Sequence, residues 1–209
     1  PISKPTINFW SVEEFNEFRK LITKDEISYD LFFTIAFFTG MRMGEILALN
    51  WYDINLITST IHVTKTAYFV NNENHINSTK TRAGTRLITI NNKLTEMLSD
   101  WKEKQEDILK EFTKDTESLQ IIQSTPIVIT KNMVDKKFKQ ILSRNNNLKK
   151  IRIHDLRHSH ASLLINQGED YLVVKERLGH ASITTTIDTY SHLYPSKQKN
   201  LANKLDDIF

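Results

Sequence analysis

His154-Asp155-Leu156-Arg157-His158-Ser159-His160 sets three histidines and one arginine within seven consecutive positions, and the spacing is helical. Positions three and four apart share a helix face, so His154 stands beside Arg157 and His158 while Asp155 falls away from them. The first turn of such a helix favours a bound anion, because its free N–H groups and the helix dipole both attract negative charge. Taken alone, a His-x-x-Arg is more often an exposed polar face than a site. A metal centre on His154 and His158 lacks an acidic residue or third ligand at a diagnostic spacing, so no metal is expected. His160 shares a stripe with Leu156, Leu163 and Leu164, which predicts a hydrogen-bonded core histidine. His158 stays open between a supporting role and a phosphate contact, and His62, His75 and His192 suggest no role.

Outward from that segment, helical periodicity dominates. Ser11 before Val12-Glu13-Glu14, with Phe15, Phe18 and Leu21-Ile22 at helical spacing, predicts a capped helix with Glu14 in the capping-box position. A helix from about Tyr29 to Phe38 is apolar around most of its circumference, as a central core helix is, and Gly40 breaks it. A short helix from Met43 to Leu49 follows. Ile61 and Val63 alternate with polar residues in a β-like way, Asn71, Asn72, Glu73 and Asn74 read as a polar loop, and Thr85 to Ile90 as a returning strand. Leu94, Met97, Leu98, Trp101 and Ile108 place a long amphipathic helix over Lys93 to about Phe112. Residues 113–125 read as a loop, Ile127 to Ile129 as a short strand, and Val134 to Ser143 as a helix. Helices are expected at Ile153–Asn166, Tyr171–Leu178 and Ile183–His192, with a last one from Lys197 to Asp207. The predicted fold is α+β, mostly α-helical with a small antiparallel β-sheet.

At 209 residues and 39% hydrophobic content the chain can bury a substantial core as one large domain. The absence of cysteine excludes disulfides, thiolate metal sites and cysteine nucleophiles. A net charge of +3 agrees with a polyanionic partner but is too small to identify one. The longest apolar stretch, Leu31 to Phe38, falls short of a membrane span, and no export signal is read.

Two further segments change the weight of the first. Thr39-Gly40-Met41-Arg42-Met43-Gly44-Glu45-Ile46-Leu47-Ala48-Leu49 precedes it, and Leu178-Gly179-His180 through Thr189-Tyr190-Ser191-His192 follows it. In this order, with His154 to Ser162 between them, they closely resemble the tyrosine recombinase, or phage integrase, family over nearly the whole chain. Carried across by motif, Arg42 matches the first arginine, Lys80 the lysine of the sheet turn, and His154 and Arg157 the His-x-x-Arg pair. His180 matches the later histidine, Tyr190 the nucleophile, and Glu45 the acid that steadies the first arginine. Lys65, Arg82 and Arg86 lie near Lys80, but Thr79-Lys80-Thr81 before a Gly84 turn and the strand from Arg86 to Ile90 fits the family pattern best. The His180 to Tyr190 interval is longer than in Xer-type members and is similar to that of phage and conjugative-transposon integrases.

The resemblance implies a DNA breaking and rejoining catalytic domain that uses neither metal nor ATP nor any other cofactor. Two arginines suit that chemistry, since a five-coordinate phosphorus gathers negative charge and each guanidinium offers paired N–H donors without titrating. Tyr190 would attack to give a 3′-phosphotyrosine, His154 being the family-implied base and Lys80 the donor to the departing 5′-hydroxyl. Residue by residue the bland alternatives hold: Arg42 with Glu45 can be a surface ion pair, and Tyr190 a core tyrosine. Lys136, Lys137, Lys139, Arg144, Lys149, Lys150 and Arg152 form a basic stretch, either a solvated face or a contact to DNA phosphates.

Residues 1–209 are therefore expected to be the catalytic domain, with core-binding and arm-binding domains absent from this chain and the segment 195–209 docking in trans. The implied partners are double-stranded DNA at attachment sites, further copies of the chain as a tetramer on DNA, and an accessory DNA-bending or excision factor. Integration and excision of a mobile element in the bacterial cytoplasm, on the nucleoid when bound to DNA, is the implied role. A type IB topoisomerase-like enzyme and a non-cleaving DNA-binding module are the rival readings.

Overall fold

Ser11 opens the first helix, α1 (Val12–Lys20), with a reciprocal cap: its Oγ accepts from the Glu14 N–H at 3.2 Å, and the Ser11 N–H donates to Glu14 Oε2 at 2.8 Å. The computed structural model describes residues 8–70, 73–79 and 82–193. Asn71, Asn72 and the expected helix from Lys197 to Asp207 lie outside the described residues.

α1 buries Phe15 and Phe18 against α2 (Ile27–Thr39), where the Phe15 and Phe37 rings stack with centroids 4.0 Å apart. Nearly every α2 side chain is buried, as its all-round apolar sequence predicts, and α2 forms the axis on which the other helices pack. Gly40 ends α2 at φ +66°, and a Cβ there would come within 2.7 Å of both His160 and Leu178. The chain then turns into α3 (Met43–Ala48).

Two antiparallel sheets follow rather than one. β1 (Ile54–Asn55), β2 (Thr60–Val63) and β5 (Arg86–Thr89) form the first, in the order β1-β2-β5, with Ile61 opposite Ile88 and Val63 opposite Arg86. β3 (Lys65–Val70) and β4 (Glu73–Ser78) form a separate hairpin registered from Lys65 opposite Ser78 to Val70 opposite Glu73. The expected polar loop is thus corrected at Glu73 and Asn74: pairing with β3 supplies the backbone partners that their composition alone does not call for. Gly44 of α3 meets this hairpin closely, its pro-Cβ position lying 2.6 Å from Thr66 Oγ1 and 2.7 Å from the Ala67 carbonyl.

α4 (Asn92–Leu109) and α5 (Lys131–Leu142) flank the core, joined by turns. The strand expected at Ile127–Ile129 does not form. The Gln120 side-chain amide satisfies both backbone groups of Ile129, accepting from its N–H at 2.9 Å and donating to its carbonyl at 3.1 Å, so no partner strand is needed. α6 (Asp155–Asn166), α7 (Tyr171–Leu178) and α8 (Ile183–Tyr190) complete the described fold, and α6 packs along α2. No described helix is long and apolar enough to cross a membrane.

Because the hairpin backbone blocks a methyl group at position 44, Gly44→Ala is expected to lower stability by about 1–3 kcal/mol. The measurement is the urea unfolding midpoint, and an unchanged midpoint would show that α3 can move off the hairpin at no cost.

Candidate active site

Arg157 lies on the first turn of α6 and is buried, donating from Nη1 to the Gly40 carbonyl and from Nη2 to the Leu178 carbonyl, each at 2.7 Å. These carbonyls belong to the ends of α2 and α7, where helix termini leave unsatisfied acceptors and partial negative charge. Burial, and then the nearby charge of Arg42, push the guanidinium down to about 9, so it remains a cation at neutral pH.

Arg42 precedes α3 and donates from Nη1 to Glu45 Oε1 at 2.9 Å, while its backbone N–H binds Glu45 Oε2 at 2.9 Å. Its side chain keeps 44% of its surface exposed, whereas that of Glu45 keeps 3%. Burial raises the Glu45 carboxyl, but hydrogen bonds and charge from Arg86, then from Arg42, outweigh it and hold the group below the ordinary carboxylate value. It is an anion between two cations.

Tyr190 closes α8 and is 1% exposed. Its hydroxyl lies 2.8 Å from His158 Nδ1 and has this hydrogen bond to His158 rather than to His154 or His180. Burial pushes the phenol up to about 12 against the pull of Arg157 and Arg42. Burial, then His154, push His158 down to about 4. At neutral pH the phenol is therefore protonated and donates to a neutral imidazole. His154 meets the His158 ring edge to face, with centroids 5.2 Å apart. His154 is itself exposed, and partial desolvation beside Arg157 holds it below its ordinary value.

His180 follows the left-handed cap Gly179, and its Nδ1 pairs with Thr186 Oγ1 on α8 at 2.9 Å. Burial, then Arg157 and Arg42, push it down to about 4. His160 holds a different place: Nδ1 donates to the Phe37 carbonyl at 2.9 Å and Nε2 accepts from Arg177 Nε at 2.9 Å, joining α2, α6 and α7 in the core. Lys80 lies outside the described residues, as does the segment 195–209.

A cleft of about 1420 Å³ opens between α3, the hairpin and α5. Arg42, Arg157 and His154 line it together with Lys131, Lys136, Lys139 and Arg152, so its walls are strongly cationic. The rest of the basic stretch is spent elsewhere. Arg144 and Lys137 bind the buried carboxylate of Glu26, and Arg152 grips Asp155 bidentately at the start of α6. Lys149 donates to the Phe9 carbonyl, and Lys150 is exposed. No group of three or more metal-ligating side chains occurs among the described residues.

The structure thus brings Arg42, Glu45, His154, Arg157, His180 and Tyr190 around the first turns of α6, and of these Arg42, His154 and Arg157 line the cleft. Two participants have roles that the sequence leaves open or does not assign. His158 is the hydrogen-bond partner of Tyr190, a role that its position four residues after His154 makes possible but does not single out. Arg86, weighed only as a neighbour of Lys80, binds both oxygens of Glu45. Its strand position shares a face with buried Ile88, and a cation on an inward face requires a buried anion.

Comparison with known proteins places these features in a family. The model of the phage integrase family matches residues 7–197. The ICEBs1 integrase of Bacillus subtilis (strain 168) is 43% identical over 209 residues, covering 100% of this chain and 56% of that protein. The integrase of Staphylococcus phage L54a is 28% identical over 183 residues, covering 81% of this chain and 49% of its own length. The chain spans about half the length of the curated relatives it matches. Among solved structures, the Tn1549 transposon integrase in complex with circular intermediate DNA superposes with a TM-score of 0.80 at 17% identity, over 99% of this chain and 69% of that one.

Three histidines at this site or behind it are held neutral, and the linkage has a definite sign. In the unfolded chain they take up protons near 6.5, whereas in the fold His158 and His180 do so only near about 4 and His160 near about 3. Their contribution is complete above about pH 6.5 and is lost as pH falls through the folded values, because there the unfolded state binds the extra protons. The melting temperature is expected to decline as pH falls from about 6.5 to 4, and a flat profile across that window would contradict neutral burial.

Proposed function

The chain belongs to the phage integrase family, and we propose that it is the catalytic domain of a site-specific DNA recombinase that cleaves and rejoins DNA through Tyr190. The observation that carries this reading is the Tyr190 hydroxyl hydrogen-bonded to neutral His158, behind a cationic cleft bearing Arg42 and Arg157. A DNA phosphate entering the cleft meets the exposed face of Arg42 and the remaining N–H groups of Arg157. Those donors stabilise the charge that gathers on the non-bridging oxygens as phosphorus becomes five-coordinate.

The phenol is held protonated, so it loses its proton as its oxygen bonds to phosphorus rather than beforehand. His158 Nδ1 is placed to accept that proton, with His154 against its ring. The arriving phosphate supplies negative charge that raises both imidazoles and makes them better bases. The P–O5′ bond breaks, a 3′-phosphotyrosine forms, and the 5′-hydroxyl leaves with a proton, for which Lys80 is the donor implied by motif. His180, oriented by Thr186, supplies its second nitrogen to a non-bridging oxygen. Tyr190 is buried in the DNA-free protein, so the reading requires DNA binding to open a path to its hydroxyl while the His158 bond is kept.

Attack by a 5′-hydroxyl of a partner strand on the phosphotyrosine rejoins DNA without ATP, and the bond energy is conserved throughout. Relatives named for mobile elements, and a fold neighbour in complex with circular intermediate DNA, support integration and excision of a mobile element as the process. The reading extends to double-stranded DNA as partner, a tetramer on two duplexes, a C-terminal segment (195–209) docking on a neighbouring copy, and an accessory bending or excision factor. It also takes core-binding and arm-binding domains to belong to the full-length protein, which would act in the bacterial cytoplasm on the nucleoid. Lys136 and Lys139 are the cations best placed for backbone phosphates, since Lys137 and Arg144 are held by Glu26 and Arg152 by Asp155.

The test uses a nicked suicide substrate carrying the attachment site, with EDTA present. A denaturation-resistant adduct is expected from wild type and none from Tyr190→Phe. His158→Ala should slow its formation by roughly 10²–10⁴-fold with DNA affinity retained. An adduct of equal yield from Tyr190→Phe, or one abolished by EDTA, would overturn the assignment.

A further inference from the structure

Arg86 takes no part in the chemistry described above, yet its guanidinium makes four hydrogen bonds at the edge of the site. Nη1 and Nη2 donate to Glu45 Oε1 and Oε2 at 3.2 and 2.9 Å, Nη1 also to the Gly84 carbonyl at 3.1 Å, and Nε to the Arg177 carbonyl at 2.9 Å. Its side chain is 7% exposed. The Arg177 carbonyl belongs to the last turn of α7, and a Cβ on Gly179 would come within 2.9 Å of Arg86 Nη1.

The consequence for Arg42 is electrostatic. A buried carboxylate with one cation draws that cation down onto itself and leaves a neutral pair. Here Arg86 occupies both oxygens of Glu45, so Arg42 is oriented by a single side-chain hydrogen bond and the three groups together carry one net positive charge. That charge sits on the exposed partner, toward the cleft. The consequence for His180 is geometric. The end of α7 is held from two directions, by Arg86 at the Arg177 carbonyl and by Arg157 at the Leu178 carbonyl, immediately before His180 enters the site.

We infer that Arg86 is a positioning residue for DNA cleavage: it shares Glu45 with Arg42, so that the three groups keep one net positive charge on the side of Arg42 that faces the cleft, and it fixes the turn that carries His180. The inference rests on the reading of this site as a DNA-cleaving one. A purely structural arginine would support the fold without touching either group.

The test is Arg86→Lys in the full-length protein, which keeps the charge that buried Glu45 requires but cannot reproduce the four directed bonds. At saturating DNA, single-turnover cleavage of the suicide substrate is expected to slow by roughly 10- to 100-fold, with affinity for the site near wild type and the protein still folded at the assay temperature, although its melting temperature falls because the Arg177 carbonyl loses its donor. The loss should shrink on a substrate whose scissile phosphate is a neutral methylphosphonate, because a misplaced Arg42 then has less charge to stabilise. In the DNA-free protein, the His180 imidazole followed by NMR should titrate higher than in wild type. Since lysine preserves the charge, that change reports position. Wild-type cleavage with His180 unmoved, or an equal loss on both substrates with His180 unmoved, would overturn the inference. A wild-type protein that forms no adduct speaks against the cleavage reading, and the His180 titration still decides whether Arg86 holds the turn.

Discussion

The buried guanidinium of Arg157 joins the ends of two helices that are far apart in sequence. One nitrogen binds the Gly40 carbonyl at the end of α2 and another the Leu178 carbonyl at the end of α7. Both helices stop at glycines with positive φ, Gly40 and Gly179, and a side chain at Gly40 would collide with His160 and Leu178. A cation at this junction satisfies acceptors that no water can reach, which offsets its own desolvation. Arg42 follows the first glycine and His180 the second, so the same junction sets where the other phosphate-facing groups begin. The arginine that serves an anion is also the one that holds the frame around it.

Charge accumulates around that junction, and it governs the states of its neighbours. Burial holds His158 and His180 neutral, and the positive charge that Arg42, Arg86 and Arg157 keep in excess over Glu45 adds to the effect at His180. The same cations favour a tyrosinate, but burial outweighs them and Tyr190 stays a phenol. The DNA-free site is therefore poised but quiescent. In the proposed reaction a phosphate is the missing negative charge: it neutralises the arginines, raises the imidazoles and supplies the electrophile in one event. On that reading Tyr190 is a nucleophile that awaits its substrate.

Much of this architecture was legible in the sequence where local rules decide. The Ser11 and Glu14 cap, the apolar α2, the break at Gly40 and α7 with its cap at Gly179 follow from side-chain periodicity and backbone sterics that act within one turn. What failed depended on pairing between segments, which the composition of one segment does not show even when the partners are close in sequence. Glu73 and Asn74 read as loop residues until β3 is placed beside them, and Ile129 reads as part of a strand until Gln120 satisfies its backbone. The site divides in the same way. His154, Arg157 and Tyr190 stand in recognisable motifs, whereas the Tyr190 to His158 bond and the Arg86 to Glu45 pair cross 32 and 41 positions and appear only when the helices and sheet are assembled. The basic stretch could not be divided for a related reason, because a run of lysines and arginines does not reveal that Glu26, just before α2, claims Lys137 and Arg144.

The proposed chemistry stands on one covalent bond, between the Tyr190 oxygen and a DNA 3′-phosphate. Trapping the suicide-substrate intermediate, digesting it and sequencing the peptides by mass spectrometry locates that bond to a residue. The account requires a nucleotide phosphate on Tyr190, with a free 5′-hydroxyl on the released strand. Attachment to any other side chain, or release of a 5′-phosphate, would contradict it.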